Sequence, residues 1–392
     1  MTKVAIISTA AIASPPPNGQ YSGVEAVSYN LAEGLTKLSN DVTLITTNES
    51  PKIGVFQAKN ANNEVVGSLE VKATGPTSWE PLAERSMFVN YVPWLEKEFG
   101  EGQGVIIDMS WGGWPYVLMA GKLGLKPHPN MKIIHVCHAM ANWFNPLEQK
   151  FVIPPVPWPR MIGVSANQAA YLSNQYGVPV RHVYNGINLP PYEKLDVSGM
   201  NNVAVPPKTD PQYLLSLNRI GVEKGIHDCI DVALRTGWKM KVVGADSWVE
   251  QKYVAEIVDK CHFSDGQVEY YGHVDNDTKW NLITNCKAGI FCPNPSRYIE
   301  AFGINAVECN ALGRLVVALR NGGHIDTIQN GVNGFLCNNV DEIVNVVKSN
   351  QLDNINSDNC RIAAERFSVE NMARGYQELI LGVMENRNEY KW

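Results

Sequence analysis

Short apolar runs alternate with amphipathic stretches along this whole chain, and the alternation occurs in two series. The first series has apolar runs at 3–8, 41–46, 104–108, 131–136, 161–164 and 180–184. The second has them at 213–217, 239–243, 268–271, 288–291 and 315–318. Each run is of strand length. Between the first two, the stretch 24–38 repeats Val24, Val27, Leu31, Leu35 and Leu38 at helical spacing, which makes one apolar face. Strand-then-helix alternation predicts a parallel sheet with helices on both faces. Two series, in 392 residues at roughly 150 per domain, predict two doubly wound α/β domains. Ligands of such sheets sit at the carboxyl ends of the strands, so two facing sheets would enclose a cleft.

Composition removes several other classes. A chain that is 45% hydrophobic and 18% charged has too much apolar surface for a disordered protein. Lys and Arg number 33 against 39 Asp and Glu, a net charge of −6, which argues against binding a nucleic-acid backbone. No apolar run approaches the ~20 residues of a membrane-spanning helix. The 8 cysteines are scattered without a C-x-x-C pair, as buried thiols in a reducing, cytoplasmic compartment would be. Residues 1–13, MTKVAIISTAAIA, have the look of a weak signal peptide. Their apolar run is short, is broken by Ser8 and Thr9, and follows a single lysine, so a first buried strand is the better reading. Segment 197–211 reads as a linker, and VIPPVPWPR at 152–160 as a proline-rich exposed loop.

Three stretches carry chemistry. In SRYIEAFGINAVECNALGRLVV, residues 304–312 fit a short helix, Gly313 its C-terminal cap and 315–318 a strand. The backbone N–H groups of Phe302, Gly303 and Ile304 would then open a helix start, which suits a diphosphate. Glu300 precedes the helix and Glu308 lies about one turn in, roughly 6 Å further along. Two glutamates so placed can address different parts of one elongated ligand, although taken alone they read first as a solvated face. In YLLSLNRIGVEKGI, the strand 213–217 runs into Asn218 and Arg219, followed by Lys224 and Gly225. Two cations at a strand's carboxyl end can hold a diphosphate leaving group, or simply decorate a surface turn. In PPPNGQYSGVEAV, Gly19 and Gly23 flank the loop before the first helix. This loop lacks the G-x-G-x-x-G dinucleotide fingerprint, and the chain has neither a P-loop nor a G-x-S-x-G elbow.

Together these stretches resemble the retaining family-4 glycosyltransferases of the GT-B fold. The pattern Glu, seven residues, Glu is Glu300-AFGINAV-Glu308, and ALGRLVVALRNGGHIDTIQNGVNGFL is similar to the family's continuation. NRIGVEKG resembles its G-R-x-x-x-K-G stretch, with Asn218 where Gly is usual. YSGVEAV is similar to its G-G-V-E turn, with Ser22 replacing one Gly, and VSANQ followed by HVYNGIN resembles the segment that closes the first domain. The PPP-x-G loop looks most like bacterial antibiotic-type and biosynthetic sugar transferases.

The resemblance implies an N-terminal Rossmann-like domain at 1–195, joined near 186–210 to a nucleotide-sugar domain at 196–371. It also implies a C-terminal helix at 372–392, carrying Met372, Tyr376, Leu379, Ile380 and Val383, that crosses back to the first domain, with Trp392 helping to pin it. It assigns Glu300 to the donor sugar, Glu308 to the ribose, and Arg219 and Lys224 to the β-phosphate. His138, at the end of strand 131–136, would lie near the donor sugar, Gly23 near the diphosphate and acceptor, and the turn at Val274 along the base. His135 and His138 could also spell a metal pair, but alternation puts residues three apart on opposite faces. Asp275-Asn-Asp277 spells D-x-D at a base-side position, so neither metal nor cofactor is expected. The implied partners are a UDP- or GDP-sugar donor, UDP-glucose before GDP-mannose, and an acceptor that is a small molecule, a glycan or a lipid-linked group. Two other readings stay open at this point, a sugar-nucleotide epimerase of the same fold and a non-catalytic nucleotide-sugar-binding subunit.

Overall fold

The computed structural model describes residues 1–17, 22–78, 83–122, 125–139, 143–145, 150–152, 160–189, 213–246, 249–296 and 298–387. Gly19, the 197–211 linker, most of the 152–160 proline-rich segment and Trp392 lie outside the described residues. The chain divides into two compact units, Met1–Gly186 together with Val369–Trp392, and Ile187–Ser368. The division expected at 195/196 falls outside the described residues, and the one at 371/372 falls inside the last helix.

In chain order the first unit contains β1 Lys3–Ile7, α1 Gly23–Lys37, β2 Asp41–Thr46, β3 Gly54–Lys59, β4 Val65–Ala73 and α2 Ala83–Phe99. It continues through β5 Gly104–Asp108, α3 Trp114–Met119, β6 Ile133–Cys137, β7 Trp143–Asn145, β8 Lys150–Val152, β9 Met161–Gly163, α4 Ala166–Tyr176 and β10 Arg181–His182. Its main sheet runs β10-β9-β6-β5-β1-β2-β4-β3. All neighbours are parallel except the β3–β4 pair at one edge. β1 from Val4 onward and the whole of β5 are buried on both faces, which is why they read as continuous apolar runs. The strand order reverses between β1 and β5, so the loops after Ile7 and Asp108 border the switch point.

The second unit contains β11 Tyr213–Leu217, α5 Ile226–Thr236, β12 Met240–Val243, α6 Gln251–His262, β13 Val268–Gly272, α7 Asn276–Asn285 and β14 Cys286–Phe291. Then come α8 Ile304–Ala311, β15 Leu315–Leu319, α9 His324–Thr327, β16 Gly334–Cys337, α10 Val340–Lys348 and α11 Ser357–Glu365. The sheet is wholly parallel in the order β13-β12-β11-β14-β15-β16. Counted from β11, that is the 3-2-1-4-5-6 order of a dinucleotide-type fold, with its switch point between β11 and β14.

The final helix, α12 Val369–Met384, belongs to the first unit and lies against α1. Met372, Ala373, Tyr376, Leu379, Ile380 and Val383 are buried on one face. Contact is close because α1 has Gly34 there: a Cβ would come within 2.7 Å of the Ala373 Cβ. Asn40 Nδ2 also donates to Gln377 Oε1 at 2.6 Å. All 8 cysteines are free and buried. Among the described residues no helix is long and apolar enough to cross a membrane.

Candidate active site

β11 delivers Asn218 and Arg219 to the switch point of the second sheet. A short 3-10 turn, Val222–Lys224, follows and ends at Gly225 with φ +63°. A Cβ on Gly225 would lie 1.8 Å from the Cys292 carbonyl oxygen, so only glycine lets this turn seat against the end of β14. That seating aims Lys224 at the loop preceding α8. Its Nζ lies 2.7 Å from Glu300 Oε2 and 4.2 Å from the centre of the Tyr298 ring. Burial opposes the ammonium's charge, but Glu300 and Tyr298 outweigh it and hold the Lys224 pKa above its ordinary value. Burial likewise pushes Glu300 up, and the Lys224 ammonium outweighs it to bring the carboxyl below its usual range. The pair is therefore ionised on both sides.

The Glu300 backbone is fixed by the asparagine and Gly-Gly loop after β15. Its N–H donates to Asn321 Oδ1 at 3.2 Å, and its carbonyl accepts from Gly323 N at 2.6 Å. Gly303 then takes φ +84° to start α8. The Gly303 and Ile304 N–H groups have no partner among the described residues, whereas the Phe302 side chain is buried edge-on against Phe367. Asn305 locks the helix to β11, donating to Leu217 O at 2.9 Å and Asn218 Oδ1 at 2.8 Å. Glu308 lies further along α8, and its Oε1 is 2.7 Å from Lys279 Nζ of α7, both side chains being buried. Its Oε2 is buried without a hydrogen-bond partner.

The structure thus gathers Lys224, Glu300, Gly303, Ile304 and Glu308 around one switch point. Arg219 lies at the same strand end but is half-exposed and paired with Glu223. The two cations read from the sequence as available for a diphosphate each hold a glutamate here. Val274 is half-buried beyond β13 and packs beneath the sheet. Asp275 caps α7, its carboxylate accepting from Thr278 N at 2.7 Å, which gives the D-x-D spelling a structural cause.

Gly23 and His138 belong to the first unit. Gly23 is already the first residue of α1, and a Cβ on it would meet nothing within 4 Å, so packing does not require glycine there. His138 follows β6. Its Nε2 is buried without a hydrogen-bond partner, and burial, with help from His135, pushes the ring's pKa down to about 3. His135 instead pairs its Nδ1 with Asp108 Oδ2 at 2.9 Å. Two buried acids border this switch point: Glu25, which stands in the GVEAV turn without an assigned role, and Glu84, which no motif singles out. Glu25 on α1 accepts from the Thr9 hydroxyl, and burial raises its pKa to about 7. Glu84 on α2 accepts from Trp111 N at 2.9 Å, Gly112 N at 3.1 Å and the Trp114 indole at 3.3 Å. Burial raises Glu84 to about 8. Only the fold brings Glu84 to the sheet; a lone Glu inside a helix gives no signal.

Comparison with known proteins places this architecture in a class. Residues 21–190 match Glycosyltransferase Family 4, and residues 201–367 match Glycosyl transferases group 1. The chain belongs to the family-4 glycosyltransferases of the GT-B fold. An α-1,3/1,6-mannosyltransferase, ALG2 of Dictyostelium discoideum, is 23% identical over 87% of this chain and 89% of its own. Among solved structures, the glycosyltransferase AviGT4 of avilamycin A biosynthesis superposes with a TM-score of 0.66 at 20% identity, covering 98% of both chains. HepE of Anabaena, solved with UDP-glucose, gives 0.64 at 17% identity over 97% of this chain and 100% of its own.

Proposed function

We propose that this glycosyltransferase moves a hexose, with retention and without a metal ion, from UDP-glucose to an acceptor hydroxyl. The observation that carries the reading is the ionised Lys224–Glu300 pair, 2.7 Å apart beside the unpartnered Gly303 and Ile304 amides. A diphosphate at those amides would draw the Lys224 ammonium, with Arg219, to its β-phosphate, and Glu300 would turn to the sugar hydroxyls. The bond from the sugar C1 to the diphosphate oxygen breaks, and its electron pair stays on that oxygen. The acceptor oxygen bonds C1 from the same face and passes its proton to the departing diphosphate. Cations held against the leaving oxygen stabilise the charge that grows there, the work a metal ion does elsewhere. Glu308 is assigned to the ribose, Val274 to the edge of the base, and Gly23 and His138 to the sugar and acceptor side. The HepE structure with UDP-glucose supports that donor, and the mannosyltransferase relative makes GDP-mannose the alternative.

Thermal melting with each nucleotide in chelator tests the reading. At 100 times its Kd, UDP or GDP should add about 2.7 kcal/mol of stability with no divalent metal present. Stabilisation that appears only with Mn²⁺ or Mg²⁺ defeats the metal-free mechanism, and an inverted anomeric centre in the NMR spectrum of the product defeats retention.

A further inference from the structure

One buried ring beside the proposed donor site has no completed hydrogen bond. His324 opens α9, is 1% exposed, and neither of its ring nitrogens reaches a hydrogen-bond partner among the described residues. Its Cδ2–Nε2 edge packs on the Gly303 backbone. A Cβ built on Gly303 would lie 2.6 Å from Cδ2, 2.9 Å from Nε2 and 3.6 Å from Glu300 Cγ. The imidazole therefore sits against the residue that begins α8 and beside the Glu300 side chain. The Phe291 ring of β14 lies 5.9 Å from it, centre to centre. The charged groups that face it are Glu300 from the loop before α8 and Lys224 from the turn after β11. The backbone of Leu319 at the end of β15 favours the protonated ring without completing a bond. Leaving a buried polar ring unsatisfied costs stability that an apolar side chain would not.

We propose that His324 takes up a proton when the diphosphate of a sugar nucleotide settles on the Gly303 and Ile304 amides, and then serves as the counter-cation of Glu300. The inference rests on the donor reading above. In the free protein burial holds the ring below its usual pKa, Lys224 acts in the same direction, and Glu300 opposes both. Donor binding changes two of these influences. The diphosphate brings negative charge to the adjoining backbone, and it draws the Lys224 ammonium away from Glu300. Both changes favour imidazolium, whose N–H can then donate to the carboxylate that Lys224 has released. The proton comes from solvent, and no covalent bond changes. Because the bound form holds the proton more tightly than the free form, donor affinity rises as pH falls between the two pKa values, by at most ~10-fold per pH unit for one proton.

The test is calorimetric titration of UDP-glucose, and of GDP-mannose, into the full chain between pH 6 and 8 in buffers of different ionisation enthalpy. A sugar diphosphate diester has no group that titrates in this range, unlike free UDP, so any proton uptake belongs to the protein. Uptake approaching one proton is expected in the wild type and in His262→Gln, which changes an exposed ring on α6. It should vanish in His324→Gln, whose donor Kd becomes flat with pH, and in His324→Leu, which fills the same volume without a titrating group. Binding without uptake overturns the inference and leaves the donor reading standing. Uptake that survives in a folded His324 variant, or disappears in His262→Gln, also overturns it. If neither donor binds the wild type, the donor reading falls and the inference with it.

Discussion

The two switch points solve the problem of burying carboxylates in opposite ways. In the second unit each glutamate of the site has its own lysine, Glu300 with Lys224 and Glu308 with Lys279. In the first unit the acids are held by neutral donors, Glu25 by the Thr9 hydroxyl and Glu84 by two backbone N–H groups and an indole. Burial raises them to about 7 and about 8, so a proton does there what a lysine does in the second unit. Paired charges can be re-partnered by an arriving anion, because the ligand replaces one ion of the pair. Protonated acids carry no counter-ion for an anion to displace, and they hold loops in place without adding charge.

The largest effect that would sharpen this contrast comes from deleting residues 372–392. The deletion removes six buried side chains that cover α1, including Tyr376 and Ile380. At about 1.5–3 kcal/mol each, their loss is of order 10 kcal/mol, comparable with the whole stability of a domain. The first unit should unfold, whereas the second, which contributes no residue to that helix, should still bind nucleotide in part. Calorimetry would then show a single remaining transition that UDP or GDP still shifts. Unchanged melting and full activity would mean that α12 does not hold the first unit together.

The next effect is one of pH. Glu84 is raised to about 8, so the folded protein keeps a proton that the unfolded chain releases above its ordinary value. Its contribution to stability is complete below the unfolded pKa and is lost as pH rises through about 8. The ceiling of the effect is ~5 kcal/mol. Glu84→Gln keeps an oxygen to accept from Trp111, Gly112 and Trp114 but cannot ionise. Its Tm should match the wild type in acid and exceed it at pH 9. Parallel Tm curves across that range would show that Glu84 is charged in the folded protein.

Much of the scaffold could be read in advance because fully buried parallel strands leave an unambiguous apolar mark. Residues 104–108 and 213–217 are strands with the bounds expected of them, and the 24–38 face is α1 shifted by one residue. β3 gave no such mark: Val55, Phe56 and Gln57 are exposed on the edge of the sheet, so no burial pattern shaped the segment. Within the site, Glu300, Lys224 and Gly303 stand in contiguous motifs whose backbone must turn tightly. Lys279 and His324 could not be singled out. Lys279 reaches Glu308 from another helix, and His324 acquires meaning only through what its ring packs against. Pairing across the fold is three-dimensional information, and a motif read along the chain does not contain it.

The smallest of the three effects is the sharpest test of the paired-charge half of the contrast. Lys224→Ala removes the cation that the proposed mechanism sets against the leaving diphosphate, and strands Glu300, buried and without its 2.7 Å partner. Charge on the leaving oxygen grows as the C1–O bond breaks, so the missing contact matters more in the transition state than in the donor complex. The loss should be about 3 kcal/mol, near two powers of ten in kcat, with a smaller change in KM. Without the ammonium, the strongest influence opposing burial at Glu300 is gone and its pKa moves upward, so the variant's kcat should gain a pH dependence beyond that of the wild type. Steady-state kinetics at several pH values separate the two contributions. A KM that rises while kcat stays unchanged would make Lys224 a donor-binding residue only, and the pair would then be a structural ion pair rather than one the donor re-partners.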